Sequence, residues 1–277
     1  MAEKHTHQGR TPLLSNEPTS LTLDAKPSWL VNHLWRLRAL APLLPAQQCR
    51  LCQGFCRDIA LCQACMQSLA DTQSRCIQCA LPLKLHSPQL RISCGECLSN
   101  PPPFNESITA GDYQTPISQW LNNFKVRRDL RDGHLLYQLL LTKLRAHYAY
   151  RPLPQLLIPV PLHWSRLLQR SFNQSAWLAQ QLHAALGIYA VPALKRNARG
   201  RTQKRLNRGQ RQKNLRAVFS VKAFAEPILA GKHVALIDDV VTTSATARVI
   251  SQVLRDAGVA KIDIWSLART DKTDFHH

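Results

Sequence analysis

The sequence predicts an α/β fold, a parallel sheet flanked by helices, preceded by a small cysteine-built module. Three observations predict it. Apolar strands and amphipathic helices alternate through the C-terminal half, four Cys-x-x-Cys pairs crowd the N-terminal third, and one apolar strand ends in adjacent aspartates followed by a hydroxyl-rich turn. Strand, helix and strand in succession imply a right-handed parallel crossover with helices covering the sheet.

Composition sets the outer limits. Of 277 residues, 45% are apolar, 6% aromatic and 19% charged, which excludes an acidic disordered chain and a collagen-like repeat. At roughly 100–200 residues per domain, the length accommodates one good core and a smaller module. The 36 Lys and Arg against 17 Asp and Glu leave a net charge of +19, a field that concentrates polyanions such as nucleic acid, phosphorylated metabolites or anionic lipid. No window approaches the roughly 18–20 apolar residues that span a bilayer. The best cluster, Leu135 to Leu144, is broken by Tyr137, Gln138, Thr142 and Lys143, so membrane insertion is not expected. The opening stretch Met1 to Arg10 lacks the apolar region of a secretory leader, which places the expected setting in the reducing cytoplasm.

Residues 1–27 are polar and without period and are expected to be a disordered tail. Trp29, Leu30, Leu34, Leu37 and Leu40 recur on one helical face, giving an amphipathic helix over 28–44. A cysteine module over 45–100 ends at Pro101-Pro102-Pro103, which stops helix and ladder alike. The α/β domain then covers 104–270, with a tail over 271–277. Within it the pattern predicts a strand from Ser107 to Tyr113, helices over 115–124 and 130–147, and a buried strand at Leu156 to Val160. A helix over 172–186 ends at Gly187, where a left-handed residue costs least. His233 to Ile237 reads as a buried strand, 244–257 as a helix stopped by Gly258, and Val259 to Leu267 as the next strand.

Eight of nine cysteines form the pairs Cys49/Cys52, Cys62/Cys65, Cys76/Cys79 and Cys94/Cys97; Cys56 is left over. A two-residue spacer lets a tight turn aim both sulfurs at one point, and two such knuckles supply the four thiolates of a closed tetrahedral zinc site. The expectation is a double zinc ribbon with two structural Zn²⁺ ions. Neighbouring knuckles give Cys49, Cys52, Cys62 and Cys65 for one site and Cys76, Cys79, Cys94 and Cys97 for the other; the alternative is a cross-braced pairing of first with third and second with fourth. Closed four-thiolate sites leave no position for a reacting water, so this metal folds the module and does not catalyse. A redox Cys-x-x-Cys accounts for a single pair but not for four.

After the apolar strand come Asp238 and Asp239, then Val240 and Val241, then Thr242, Thr243, Ser244, Ala245 and Thr246 opening a helix. Open α/β sheets bind ligands beyond the carboxyl ends of their strands. The hydroxyls and the amides of a helix N-terminus suit a phosphate dianion. The two carboxylates repel phosphate, so they face the neutral part of the same ligand, accepting hydrogen bonds from vicinal sugar hydroxyls or holding Mg²⁺. A ribose 5-phosphate satisfies both halves. The plainer reading, a helix cap with acids favouring the dipole, asks for one acid and not an adjacent pair. The stretch Val234 to Thr246 resembles the phosphoribosyl-diphosphate motif of type I phosphoribosyltransferases. It departs in Ser244 where that family usually has glycine.

From Lys195 to Arg216 there are ten Lys or Arg and no acid in 22 residues, more than half of the net charge. Ten like charges repel one another unless something anionic gathers them, so Arg199, Arg201, Lys204, Arg205, Arg208 and Arg211 are candidate nucleic-acid contacts. A second cluster, Pro159-Val160-Pro161-Leu162-His163 followed by Arg166, Arg170, Phe172, Asn173 and Gln174, leaves a strand and enters a helix. Arg166, Arg170, Lys204 and Arg205 are the candidates for a diphosphate, and the Phe172 ring is expected to pack inward.

Taken in order over residues 47–270, these pieces resemble the ComF family of competence and DNA-utilisation proteins. They are the cysteine module, the Pro159 to His163 stretch with Arg170-Ser171-Phe172-Asn173-Gln174, Thr202-Gln203 to Leu206 with Arg211 and Asn214, and the Asp238-Asp239 loop. Ser171 stands where glycine is more usual. The resemblance implies a type I phosphoribosyltransferase-like domain behind a zinc ribbon. It implies a phosphoribosyl-diphosphate ligand, with Mg²⁺ accompanying it, and a role in DNA uptake or reuse alongside single-stranded DNA and DNA-processing proteins. Two alternatives stand beside it: an active phosphoribosyltransferase releasing diphosphate to an unknown acceptor, and a zinc-ribbon nucleic-acid adaptor with a vestigial pocket.

Overall fold

The computed structural model describes residues 47–56, 60–69, 74–83, 91–162, 172–197 and 218–271. The expected tail over 1–27, the helix over 28–44 and the residues beyond Asp271 lie outside these.

The cysteine-rich part begins with a hairpin of β1 (Gln47–Gln48) and β2 (Phe55–Cys56) and carries two short helices, α1 (Gln63–Ser68) and α2 (Gly95–Ser99). The sheet domain follows as β3 (Glu106–Thr109), α3 (Ile117–Asn122) running on into a π-helical segment at Asn123–Arg127, α4 (Leu130–His147), β4 (Leu156–Pro159), α5 (Gln174–Leu186) and β5 (Tyr189–Ala190). A two-stranded antiparallel ribbon, β6 (Leu194–Arg196) with β7 (Phe219–Val221), precedes the short helix α6 (Glu226–Leu229). The chain closes with β8 (His233–Val241), α7 (Ala245–Asp256) and β9 (Lys261–Arg269).

Five strands form one sheet in the order β3-β9-β8-β4-β5, and every neighbouring pair is parallel. Period-two alternation sorts its side chains. Val234, Leu236, Ile262 and Ile264 face the layer holding α7, whereas Ala235, Ile237, Trp265 and Leu267 face the layer of α3, α4 and α5. Both faces are thereby covered, which is why these strands read as continuous apolar runs. The first knuckle joins the same interior: Cys49, Cys56, Leu61 and Cys65 pack with Leu121, Phe124 and Leu136. Cys76, Cys79, Cys94 and Cys97 form their own small cluster with Leu81 and Leu83.

The observed elements follow the expected pattern with shifts at their ends. The strand expected from Ser107 to Tyr113 is β3 at Glu106–Thr109, since its ladder with β9 ends at Thr109 against Ser266, and the strand expected from Val259 to Leu267 is β9 at Lys261–Arg269. The helix expected at 172 starts at Gln174, because the Asn173 side chain accepts hydrogen bonds from the amides of Ser175 and Ala176 and so caps it. Gly187 ends it at φ +71°, as the left-handed position requires. The helix expected to stop near 124 continues as a π turn to Arg127, closed by Arg128 at φ +56°. Most consequentially, β8 does not end at Ile237. It stays paired with β9 through Val241 against Arg269, so the acidic pair lies within the last turn of the ladder and not in the loop beyond it. The longer β9 supplies those partners.

Candidate functional site

The cysteines gather as two tetrads, Cys49/Cys52/Cys62/Cys65 and Cys76/Cys79/Cys94/Cys97, the Sγ atoms in each lying within 4.8 Å of one another. The pairing is sequential, and the cross-braced alternative is excluded. In the first knuckle of each tetrad the residue after the second cysteine takes the left-handed conformation, Gln53 at φ +63° and Ala80 at φ +57°. Its amide closes the turn on the first cysteine's carbonyl, at 2.9 Å and 2.8 Å respectively. Main-chain amides then donate to sulfur, Cys62 N to Cys49 Sγ at 3.4 Å and Cys94 N to Cys76 Sγ at 3.2 Å.

Hydrogen bonding from Cys79, and from nearby main-chain amides, holds the Cys76 thiol down at about 4 against its burial. Burial pushes Cys65 and Cys97 up to about 12. Four thiolates brought this close repel one another and need a divalent cation between them. Closed tetrads with sulfur-directed amides suit structural zinc. Cys56 stands beside the first tetrad, buried, its thiol raised by that burial.

The acidic pair sits at the carboxyl end of the sheet. Asp238 Oδ1 accepts from the Asp239 amide at 2.9 Å. Asp239 Oδ2 lies 3.0 Å from Lys125 Nζ, both side chains mostly buried. Burial first, and then the neighbouring Asp239 charge, raise the Asp238 carboxyl to about 7, against the pull of the Asp239 amide, Lys125 and the Ser175 hydroxyl. Ser175 reaches it from the start of α5, which Asn173 ties to the end of β4 through a 3.0 Å hydrogen bond to the Val160 carbonyl. Beside it Gln174 is buried, and neither atom of its carboxamide has a partner among the described residues.

Beyond Val241 the turn is short. Thr242 and Thr243 are exposed; Ser244 is buried at φ +59° and its Oγ has no partner among the described residues; Ala245 and Thr246 are exposed at the first turn of α7. Thr243 Oγ1 accepts from the Ala245 amide at 3.4 Å. The structure therefore brings Asp238, Asp239, Thr242, Thr243, Ser244, Ala245 and Thr246 together at one sheet end. Phe172 is partly buried and packs edge-on against Phe124, ring centroids 5.4 Å apart.

His163, Arg166, Arg170 and Ser171 lie outside the described residues, as do Arg199, Arg201, Lys204, Arg205, Arg208 and Arg211. The roots of the basic stretch are described. Asn197 N donates to the Val218 carbonyl at 2.7 Å, so the intervening segment begins and ends at one hydrogen-bonded pair. Phe219 and Leu194 of that ribbon pack with Ala247 and Ile250 of α7, the helix that opens at Ser244.

Lys125, which pairs with Asp239, Arg50, which pairs with Asp132, and Arg269, which bonds the Cys79 carbonyl, are residues beside these clusters that the sequence reading missed. Arg50, between Cys49 and Cys52, bonds the fully buried Asp132, which also accepts from Asn123 Nδ2 at 2.8 Å. That places the first knuckle directly behind the π segment bearing Lys125. Among the described residues, no helix is long and apolar enough to cross a membrane.

No protein-family model matches the chain. Curated relatives do. It is 34% identical over 215 residues to DNA utilization protein YhgH of Escherichia coli K12, covering 76% of this chain and 90% of that protein. It is 33% identical over 214 residues, with the same coverage, to Competence protein F of Haemophilus influenzae. Among solved structures it is similar to a glutamine phosphoribosylpyrophosphate amidotransferase from B. subtilis complexed with ADP and GMP (22% identity, TM-score 0.34, 53% of this chain and 27% of that one). It is also similar to a purine phosphoribosyltransferase from Pyrococcus horikoshii (18% identity, TM-score 0.29, 49% of this chain and 80% of that one). A relationship of that identity across three quarters of its length makes this chain a member of the ComF family, the family of competence and DNA-utilisation proteins.

Proposed function

We propose that this protein binds phosphoribosyl diphosphate, or a related ribose 5-phosphate, at the end of β8 and acts in DNA uptake and utilisation within the cytoplasm. The observation that carries the reading is the sequence of chemistries along one strand end. Two carboxylates, one paired with Lys125, come first; then comes a left-handed turn whose buried Ser244 hydroxyl has no partner among the described residues; then the N-terminus of a twelve-residue helix. Asp238 and Asp239 accept from the ribose hydroxyls, with Mg²⁺ accompanying the ligand. The Thr242–Thr246 turn and the helix amides take the 5-phosphate. Lys125, with Arg166, Arg170, Lys204 and Arg205, neutralises the diphosphate.

Single-stranded DNA follows the basic stretch through Arg199, Arg201, Lys204, Arg205, Arg208 and Arg211. The described ribbon at the two ends of that stretch packs on α7, whose first turn belongs to the pocket, and this supports the reading. DNA-processing proteins are the partners this role requires.

Isothermal calorimetry with phosphoribosyl diphosphate and Mg²⁺ tests the pocket: binding is expected, and Asp238→Asn with Asp239→Asn abolishes it. Unaltered binding in that double variant rejects the assignment. For DNA, affinity for single strands falls steeply with salt, and neutralising Arg201, Lys204, Arg205 and Arg208 flattens the slope. A slope that those changes leave intact rejects the basic stretch as the DNA surface.

A further inference from the structure

The second cysteine tetrad and the hydroxyl-bearing turn meet at one side chain. Arg269, the last residue of β9, is 4% exposed. Its Nε donates to the Cys79 carbonyl at 2.8 Å. Its Nη1 donates to the carbonyls of Val241 at 3.2 Å, Thr270 at 2.6 Å and Thr242. One end of the guanidinium thus grips the main chain of a cysteine in the tetrad, and the other grips the first residue of the turn. Burying a guanidinium among main-chain carbonyls is costly unless its donors are used in a fixed geometry. A rigid fork of five donors spans both sites at once; an ammonium, a single point of charge, does not.

The rest of the knuckle is laid on β3 and not on the turn. Ser107 N donates to the Ile77 carbonyl at 3.0 Å, Ser107 Oγ bonds the Gln78 carbonyl, and Arg75 pairs with Asp112 at 2.9 Å. Arg269 is the element that carries the knuckle's position across to Thr242.

We propose that Arg269 is a positioning residue coupling the metal-bound state of the Cys76/Cys79/Cys94/Cys97 tetrad to the shape of the Thr242–Thr246 turn. With the tetrad closed on zinc, the Cys79 carbonyl is held still and the turn is held with it; with the metal lost, the turn loosens. Coupling of this kind is reciprocal, so a ligand seated on the turn tightens metal binding at the second tetrad. The ligand half of this statement rests on the phosphoribosyl reading above; the coupling itself does not.

Hydrogen exchange read by mass spectrometry tests it on the full-length, zinc-loaded chain. In Arg269→Lys at full zinc content, turn amides over 242–247 are expected to exchange about tenfold faster, while amides of β4 and β8 stay as in the parent. In the parent protein, graded chelation is followed by cysteine alkylation to identify which tetrad has opened. Turn exchange should rise in step with loss of metal from the second tetrad, which decides the matter even if Arg269→Lys folds poorly. Turn exchange that ignores opening of the second tetrad, or is unchanged in zinc-replete Arg269→Lys, overturns the coupling.

Chelation repeated with phosphoribosyl diphosphate separates the two readings. A higher chelator concentration needed to open the second tetrad in the parent, but not in Arg269→Lys, supports both. A parent that does not bind phosphoribosyl diphosphate rejects the ligand reading and leaves the exchange result to judge Arg269.

Discussion

Lys125 Nζ stands 3.0 Å from Asp239 Oδ2, so a cation borne on a π-helical turn is placed against the acidic end of β8. A π turn inserts an extra residue into the helix and changes which side chain faces a given direction. Here it serves Lys125 while Phe124 stays fully buried. Replacing Lys125 with Met removes a charge that favours ionisation of Asp238 and that, in the proposed reading, meets the diphosphate. The expected result in calorimetry is about tenfold weaker binding of phosphoribosyl diphosphate, with the fold intact by circular dichroism. Binding equal to the parent's removes Lys125 from the site.

The Asp238 carboxyl, raised to about 7, makes two pH predictions with opposite faces. Hydrogen bonds from ribose hydroxyls need the ionised acid, so ligand affinity rises from pH 6 to pH 8 and levels off above. Asp239→Asn removes a neighbouring charge and moves that midpoint down. Stability runs the other way. A carboxyl whose folded value is raised above its unfolded one contributes fully below the unfolded value, and that contribution is lost as pH climbs through about 7. Asp238→Asn therefore stabilises the protein at pH 8, by on the order of 2 kcal/mol, while weakening the ligand. Thermal melts at pH 4 and pH 8 check it: a gain at pH 8 that has all but gone at pH 4, near the unfolded value of 3.8, is expected.

Ser244 holds φ +59° in a turn where glycine avoids a penalty of about 1–2 kcal/mol. Its buried hydroxyl has no partner among the described residues, so it is available to a phosphate oxygen. Ser244→Gly is expected to raise unfolding stability by about 1 kcal/mol and to weaken phosphoribosyl diphosphate binding several-fold. If affinity is unchanged while stability rises, the hydroxyl does not touch the ligand.

What the sequence showed and what it hid divide by sequence distance. The strands, the helix stopped by Gly187 and the Asp238-Asp239 turn are legible because period and punctuation are local signals. The tetrads are legible because each knuckle closes within four residues, although the spacing left their pairing open. Arg50, Lys125 and Arg269 left no such trace. Their partners are Asp132, 82 residues on, Asp239, 114 residues on, and Cys79, 190 residues back. Nothing in the neighbourhood of a lone arginine announces a carbonyl that far away. The strand's extension past Ile237 was hidden for the same reason, since it depends on how far β9 runs alongside.

Arg50 gives a test of the first knuckle. Asp132 is fully buried and depends on Arg50 and Asn123. Removing one partner of a buried pair leaves an uncompensated charge, a loss of about 3–5 kcal/mol. Arg50→Ala should therefore lower urea-unfolding stability by an amount of that order. Arg50→Ala with Asp132→Asn should recover a large part. The parent should carry two zinc ions per chain by elemental analysis; well under one rejects the metal assignment.

The opposite end of the sheet supplies a stability switch far from the ligand. Glu106, first residue of β3, faces His147 at 3.2 Å, Arg91 at 3.2 Å, and Lys261 and Arg151 at 3.6 Å. Burial pushes its carboxyl up, but the imidazole of His147, then Lys261 and Arg91, outweigh this and hold it at about 2. A carboxyl depressed in the folded state contributes stability above its unfolded value, near 4.5, and loses it as pH falls toward 2. Glu106→Gln is therefore expected to cost about 3 kcal/mol at pH 7, with the difference from the parent narrowing between pH 5 and pH 3. Phosphoribosyl diphosphate affinity should not move, because Glu106 lies at the amino ends of the strands and the acidic pair at their carboxyl ends. Urea titrations of both proteins at pH 7, 5 and 3 measure this; a difference that stays constant across that range rules out ionisation of Glu106 as its source.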